Sequence, residues 1–233
     1  MGLIDVALLG GVRRNIPNAL VFHDIFLNSQ EQHIDKNSYV LEENAFKLIT
    51  KLDKKCKSTL FRNPILTFDD GLKSPLKFLG MIEHLKPQVV LFINTDSVFR
   101  ATKGSNSKYL NLSDLNALIS QFSRKIQIGD HLHKHVRATE IEEEEFRSLL
   151  NMSKSHFDKE GINCSSFAWP YGIENSKFHN ILEEYGYKEI FVGGVRRPYK
   201  GGTNRIARVQ ISMARYTYLQ VRGQLLLNRI LAY

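Results

Sequence analysis

Residues Ile65-Leu66-Thr67-Phe68-Asp69-Asp70-Gly71 carry an apolar run straight into two adjacent carboxylates and a glycine, and further along stands Gly129-Asp130-His131-Leu132-His133-Lys134-His135. His131 and His135 are four residues apart, a separation that puts two imidazoles on one side of a helical turn, where both can reach one metal ion. Neutral imidazole is a favoured ligand for zinc and its divalent neighbours, and one carboxylate completes a three-ligand set that leaves positions open for water and substrate. An extended His-Leu-His-Lys-His would instead line His131, His133 and His135 along one face of a strand. Gly129 and Asp130 indicate a chain turning out of its strand, which favours the four-residue spacing and leaves His133 exposed or one layer out from the ion. Taken alone, Asp69-Asp70-Gly71 also reads as a turn and an N-cap for the next helix.

What must position these groups is a set of β/α units. Short apolar runs, read as strands over 19–26, 64–70, 89–95, 125–129, 165–170, 189–194 and 205–211, alternate with stretches of helical period over 42–55, 74–85, 113–122, 139–157, 176–187 and 215–231. The helix at 113–122 opens on capping residues, and the one at 139–157 opens on a capping box of Thr139 and Glu142. Seven strands is one short of the familiar eight. In such a fold the C-terminal ends of the strands face a common site. Five of the predicted strands end there in ligand-type or loop-forming groups: His23-Asp24, Asp69-Asp70, Asn94-Thr95-Asp96, Asp130 to His135, and Trp169-Pro170-Tyr171-Gly172. The acidic run Glu142 to Glu145 reads as a solvated face that favours the helix dipole.

With 233 residues and 42% hydrophobic content, the chain is expected to form one domain over 1–233. The N-terminal apolar stretch follows Asp5 and precedes Arg13 and Arg14, so it resembles neither a signal peptide nor a spanning helix. Cys56 and Cys164 are too few for a disulfide framework, and a reducing, cytoplasmic setting is expected. A net charge of +8 favours anionic partners, phosphate-linked sugars or a lipid headgroup surface among them. No nucleic-acid-binding signature accompanies it, so no nucleic acid is expected.

The sequence Thr67-Phe68-Asp69-Asp70-Gly71, the Gly-x-His-x-x-x-His that follows and Phe167-Ala168-Trp169-Pro170-Tyr171-Gly172 together resemble the NodB-type polysaccharide deacetylases of carbohydrate esterase family 4. Leu20 to Ile25, Ser38 to Leu52 and Asn204 to Ile211 extend the likeness over roughly 19–212. The resemblance implies a distorted (β/α)7 barrel and hydrolysis of the N-acetyl group of an amino sugar, oligosaccharide or glycan precursor, in cell-surface polysaccharide biosynthesis. It implies Asp69 as catalytic base, Asp70, His131 and His135 as ligands of a divalent metal that activates the water nucleophile, and a substrate groove formed by Trp169, Pro170 and Tyr171, with the Tyr171 N–H at the oxyanion. Zinc is the first choice of metal, with cobalt, nickel and manganese as alternatives.

Two departures stand out. The third motif carries Ala168 and Trp169 where many relatives have an arginine that orients the base. The C-terminal element has Asn228 where many have a histidine as general acid. His23 becomes the first candidate for the acid and His133 the second, while a histidine inside an apolar run is as often a core residue. Arg205 or Arg208 could replace the missing arginine or serve a structural ion pair. His33, His84, His156 and His179 are expected at the surface. Arg196 and Arg197, after the sixth strand, are expected to contact a phosphate or uronate on the substrate. Alternatives to deacetylation are removal of a formyl group from a formamido sugar and a catalytically weak, carbohydrate-binding barrel.

Overall fold

The computed structural model describes residues 18–26, 39–56, 64–104, 108–122, 126–193, 204–213, 217, 220–222 and 224–225. Seven strands close into an all-parallel barrel: β1 (Asn18–Phe22), β4 (Ile65–Phe68), β5 (Val89–Ile93), β6 (Ile126–Asp130), β7 (Ser166–Ala168), β8 (Glu189–Gly193) and β9 (Asn204–Gln210), with β9 pairing back onto β1. This is the (β/α)7 architecture expected from the sequence. Strands β4 and β5 read as continuous apolar runs because both of their faces are buried. Leu20, Phe22, Leu66, Phe68, Leu91 and Ile93 belong to the large core shared with the surrounding helices, while their alternates Ala19, Ile65, Val90, Phe92, Ala168, Phe191 and Ile206 form a separate cluster. That second set fills the barrel, and Phe92 and Phe191 meet edge to face at 4.9 Å within it. Burying each ring is worth about 1.5–3 kcal/mol. Gly129 makes room for them, since a Cβ there would lie 2.3 Å from a Phe92 ring carbon.

The helices are α1 (Glu42–Cys56), α2 (Pro75–Ile82), α3 (Thr95–Lys103), α4 (Leu112–Phe122), α5 (Glu143–Lys159) and α6 (His179–Glu184). Of these, α3 has no counterpart among the helices expected from the sequence; it starts directly at the end of β5. The first apolar run is not one strand. It breaks at His23, after which β2 (Asp24–Phe26) leaves the barrel to pair with β3 (Tyr39–Leu41). The break is held by Ser74, whose hydroxyl donates to Asp24 (2.5 Å) and accepts from the Ile25 N–H (3.2 Å). His23 is thereby left on the barrel rim.

Two caps also differ from expectation. Asn111 and Asp114 cap α4 reciprocally, each side chain accepting from the other's N–H at 2.9–3.0 Å. Helix α5 begins at Glu143 after an N-cap at Glu142 that makes no side-chain bond, so Thr139 forms no capping box. Of the helix expected over 215–231, residues 220–222 and 224–225 are helical, with Val221 and Leu225 in the core, and most of the rest lies outside the described residues. Among the described residues no helix is long and apolar enough to cross a membrane.

Candidate active site

The two adjacent aspartates end β4 and diverge. Asp69, 2% exposed, accepts from Arg208 Nη1 through both carboxylate oxygens, at 2.6 and 2.8 Å. Burial alone would raise its pKa, but the Arg208 charge, followed by those of His131 and His23, holds it below the usual value. At Asp70 the chain enters the left-handed region (φ 69°), one that aspartate tolerates better than most side chains, and Gly71 continues it at φ 69°. This reversal turns the second carboxylate away from Arg208 and toward the histidines.

The histidines converge from a loop rather than a helix. After β6 the chain turns at Leu132 (φ 65°), which brings the His131 and His135 rings to 5.1 Å between centroids. His131 Nδ1 donates to the Ala168 carbonyl at 2.8 Å, which fixes the tautomer and leaves the Nε2 lone pair facing Asp70. Burial pushes the His131 pKa down to about 4, against the opposing pull of Asp69 and Asp70, so the ring is neutral near pH 7. Asp70 Oδ1 lies 3.6 Å from His131 Nε2 and 3.2 Å from His135 Nε2; His131 Nε2 is also 3.7 Å from Asp69 Oδ2. These approaches lack hydrogen-bond geometry, and both His131 Nε2 and Asp70 Oδ1 are buried without a hydrogen-bond partner. Leaving such atoms unpaired costs about 1–3 kcal/mol each, more when charged. One ligand atom from each of Asp70, His131 and His135 lies within 4.8 Å of the others. Two imidazoles and a carboxylate with orphaned, converging lone pairs fit a divalent ion. His133 does not join them: its Nδ1 bonds Thr95 Oγ1 at 2.9 Å and its ring stacks on His156.

A cavity of about 520 Å³ opens beside Asp69, lined among others by His23, Tyr171, Gly193, Arg208 and Gln224. His23 Nδ1 is buried there without a hydrogen-bond partner. Trp169 and Pro170 do not reach it. Trp169 is fully buried between Phe146 and Phe167, and Pro170 is buried beside it, so the two anchor the loop from below. Tyr171, held at φ 60° and 52% exposed, stands at the rim with its ring 4.3 Å from that of His135 and the Arg137 guanidinium 4.7 Å above it. The loop's own turn bonds, Gly172 N–H to Trp169 (2.9 Å) and Ile173 N–H to Pro170 (3.2 Å), leave the Tyr171 N–H out. Gly172 and Gly193 meet back to back: a Cβ on Gly193 would lie 2.7 Å from the Gly172 carbonyl oxygen.

Arg205 serves elsewhere. With His179 it engages Glu174, and that trio is removed from the cavity. His179 is accordingly buried rather than at the surface, whereas His84 is exposed. Arg196, Arg197, His33 and Asn228 lie outside the described residues. Gln210 and Gln224, which line the cavity, were not expected from the sequence; the alternation of β9 inward through Ile206, Arg208 and Gln210 is the signal that points to the first.

A sequence model of the polysaccharide deacetylase family matches residues 51–190. Among solved structures, the deacetylase PplD of Streptococcus pyogenes, in complex with acetate, superposes with a TM-score of 0.72 at 17% identity, covering 90% of this chain and 97% of that one. A polysaccharide deacetylase from Bacillus cereus gives the same TM-score and identity over 90% of this chain and 69% of its own. IcaB from Ammonifex degensii follows at 0.67 and 15%, covering 90% and 97%. At these identities the likeness concerns the fold. No curated protein sequence matches the chain significantly.

Proposed function

The chain belongs to the polysaccharide deacetylase family, and from that premise we propose that it is a metal-dependent N-deacetylase of an amino-sugar oligosaccharide or glycan precursor in cell-surface polysaccharide assembly. The observation that carries this reading is the divergence of two adjacent carboxylates, one onto a buried arginine and the other onto two histidines with an orphaned lone pair between them. A divalent ion held by Asp70, His131 and His135, zinc for preference, would lower the pKa of water toward about 7 and polarise the amide carbonyl.

The chain's own groups do the rest. Asp69, kept ionised by Arg208, accepts the proton of the attacking water, and the two bonds to Arg208 fix the direction in which its carboxylate faces. The Tyr171 N–H, not used in the loop's turns, donates to the developing oxyanion, a contribution of about 3–4 kcal/mol per well-placed donor. His23, on the cavity wall, protonates the departing amine. His133, bonded to Thr95, is not placed to do so. The arginine missing from the third motif is replaced in this reading by Arg208, which reaches Asp69 from β9. A net charge of +8 supports a phosphate- or lipid-linked substrate, with Arg196 and Arg197 as its contacts.

The test pairs metal content with acetate release from N-acetylglucosamine oligomers. Native protein should carry about one equivalent of a divalent transition metal, lost in Asp70→Ala and His135→Ala. Asp69→Asn should keep the metal and release no acetate. Metal retained in Asp70→Ala would overturn the ligand set, and full activity in Asp69→Asn would overturn the base.

A further inference from the structure

The residues Asn94-Thr95-Asp96 end β5 at the same rim as the aspartates and histidines, and their types suggest ligands. Their contacts show a different use. The Asp96 carboxylate is engaged along the surface of α3 by Arg100 Nε at 2.8 Å. Asn94, 2% exposed, directs its amide Nδ2 at the carbonyl oxygens of His131 (2.5 Å) and Leu132 (3.3 Å). Thr95, fully buried, meets His133 Nδ1 at 2.9 Å through its hydroxyl, with the Ser153 hydroxyl of α5 behind it at 3.4 Å. The Asp96 N–H, free of intrahelical duty because it lies in the first turn of α3, donates to the His133 carbonyl at 3.0 Å.

We infer that Asn94, Thr95 and the Asp96 amide form a clamp that sets the His131–His135 spacing, and hence that Asn94 and Thr95 are positioning residues for the ion proposed above. The clamp rests on that reading of the site. The loop it holds has little regular hydrogen bonding of its own, the Val136 N–H to the Lys134 carbonyl at 3.0 Å being its internal contact. Leu132 sits in the left-handed region, which costs a side-chain-bearing residue roughly 1–2 kcal/mol, and residues 131–137 belong to no helix or strand. The turn places His131 and His135 on one ion only while Leu132 keeps that conformation. Asn94 bonds the carbonyls on either side of the Leu132 α-carbon, so it opposes rotation at the strained residue itself. Thr95 and Asp96 pin His133, halfway between the two ligands, by its ring and by its backbone. Loss of a partner that bonds a metal-ligating residue directly weakens metal binding about 10–100-fold; Asn94 bonds the backbone of His131, and Thr95 acts one step further out, through His133.

Zinc affinity, measured by competition with a chromophoric chelator on the full chain, tests the clamp without need of a substrate. Asn94→Ala should weaken zinc binding about 10–100-fold, and Thr95→Val, which acts through His133, about 10-fold. Thr95→Ser, which restores the hydroxyl, should bind near the native level. Ser166→Ala supplies the control for stability alone, because it removes a partly buried hydrogen bond comparable to that of Thr95, Ser166 to Glu189 at 2.9 Å, on β7. It should lower Tm and leave zinc affinity unchanged. Should Asn94→Ala fail to fold, Thr95→Val against Thr95→Ser decides the matter. Native protein that binds zinc, with Thr95→Val binding it equally well, would overturn the clamp and leave the ligand set standing. Native protein that binds no zinc would overturn the ion reading, and the clamp with it.

Discussion

Replacing Arg208 by methionine should do more harm than removing both partners of its ion pair. Arg208 and Asp69 are 3% and 2% exposed, and their contacts are 2.6 and 2.8 Å, so methionine leaves a carboxylate buried with no cation on it. Stranding one charge of a buried pair costs about 3–5 kcal/mol. In a chain of 233 residues, at about 2–4 °C per kcal/mol, Tm should fall by roughly 6–20 °C. Asp69→Asn in the same protein abolishes the stranded charge, so the double variant should melt above the Arg208→Met single variant. The pH dependence gives an independent sign. In the native protein the Asp69 pKa lies below its ordinary value, so its contribution to stability is present above that value and lost as the pH falls through the folded one. Without Arg208, burial dominates and raises the folded pKa, so the variant's penalty exists only while the carboxylate is ionised and shrinks in acid. Thermal melts of the native, single and double variants between pH 4 and 8 read all of this. A double variant no more stable than Arg208→Met, or a Tm gap that is constant with pH, would refute the pairing as the cause.

Other outcomes follow from the same contacts. Metal-free protein should lose stability as the pH falls from 6.5 towards 4: the unfolded chain protonates His131 near 6.5 but the fold only near 4, so the unfolded state binds more protons in that window. His131→Asn should flatten this slope in a pH series of chemical denaturation. Gly129→Ala drives a methyl to 2.3 Å from the Phe92 ring and should destabilise by about 1–3 kcal/mol in urea melts. Tyr171→Gly keeps the N–H and suits φ 60°, so acetate release should persist, whereas a side-chain role for Tyr171 would abolish it. Glu174→Gln should lower Tm, since Arg205 and His179 both lean on that carboxylate, and leave zinc content unchanged.

Strands β4 and β5 were legible because each buries both faces, so an apolar run bounded by polar residues coincides with a barrel stave, whereas β6 and β9, which expose Gln127 and Gln210, showed as mixed runs of β-branched and polar residues. The pairing of His131 with His135 was legible from residue type and spacing, Asp70 as their partner came with the family resemblance, and the path that brings the three together was not legible. It depends on left-handed turns at Asp70 and Leu132, and nothing in the leucine itself announces one. Trp169 shows the opposite case: the resemblance implies that it helps form a groove, but Phe146 of α5 and Phe167 of β7 pack around it and claim it for the core. The choice between Arg205 and Arg208 was open in the sequence and need not have been. Three residues apart on a strand, they lie on opposite faces, and the face shared with Ile206 is the one that looks into the barrel. Helix α3 was not legible because Asn94-Thr95-Asp96 resembles a ligand edge as much as a helix start.

Phe92 lies beneath both halves of the barrel rim that carries the aspartates and histidines, its ring 6.4 Å from that of His131 and 5.6 Å from the Arg208 guanidinium, and it occupies the space that Gly129 leaves open. Positions 92 and 129 therefore share one volume. Across descendants of this chain a side chain gained at 129 should be matched by a smaller one at 92, so that the two drift as a pair. Because that shared volume supports the imidazole and the guanidinium together, a lineage that changed it on one side only would shift His131 and the Arg208–Asp69 pair at the same time.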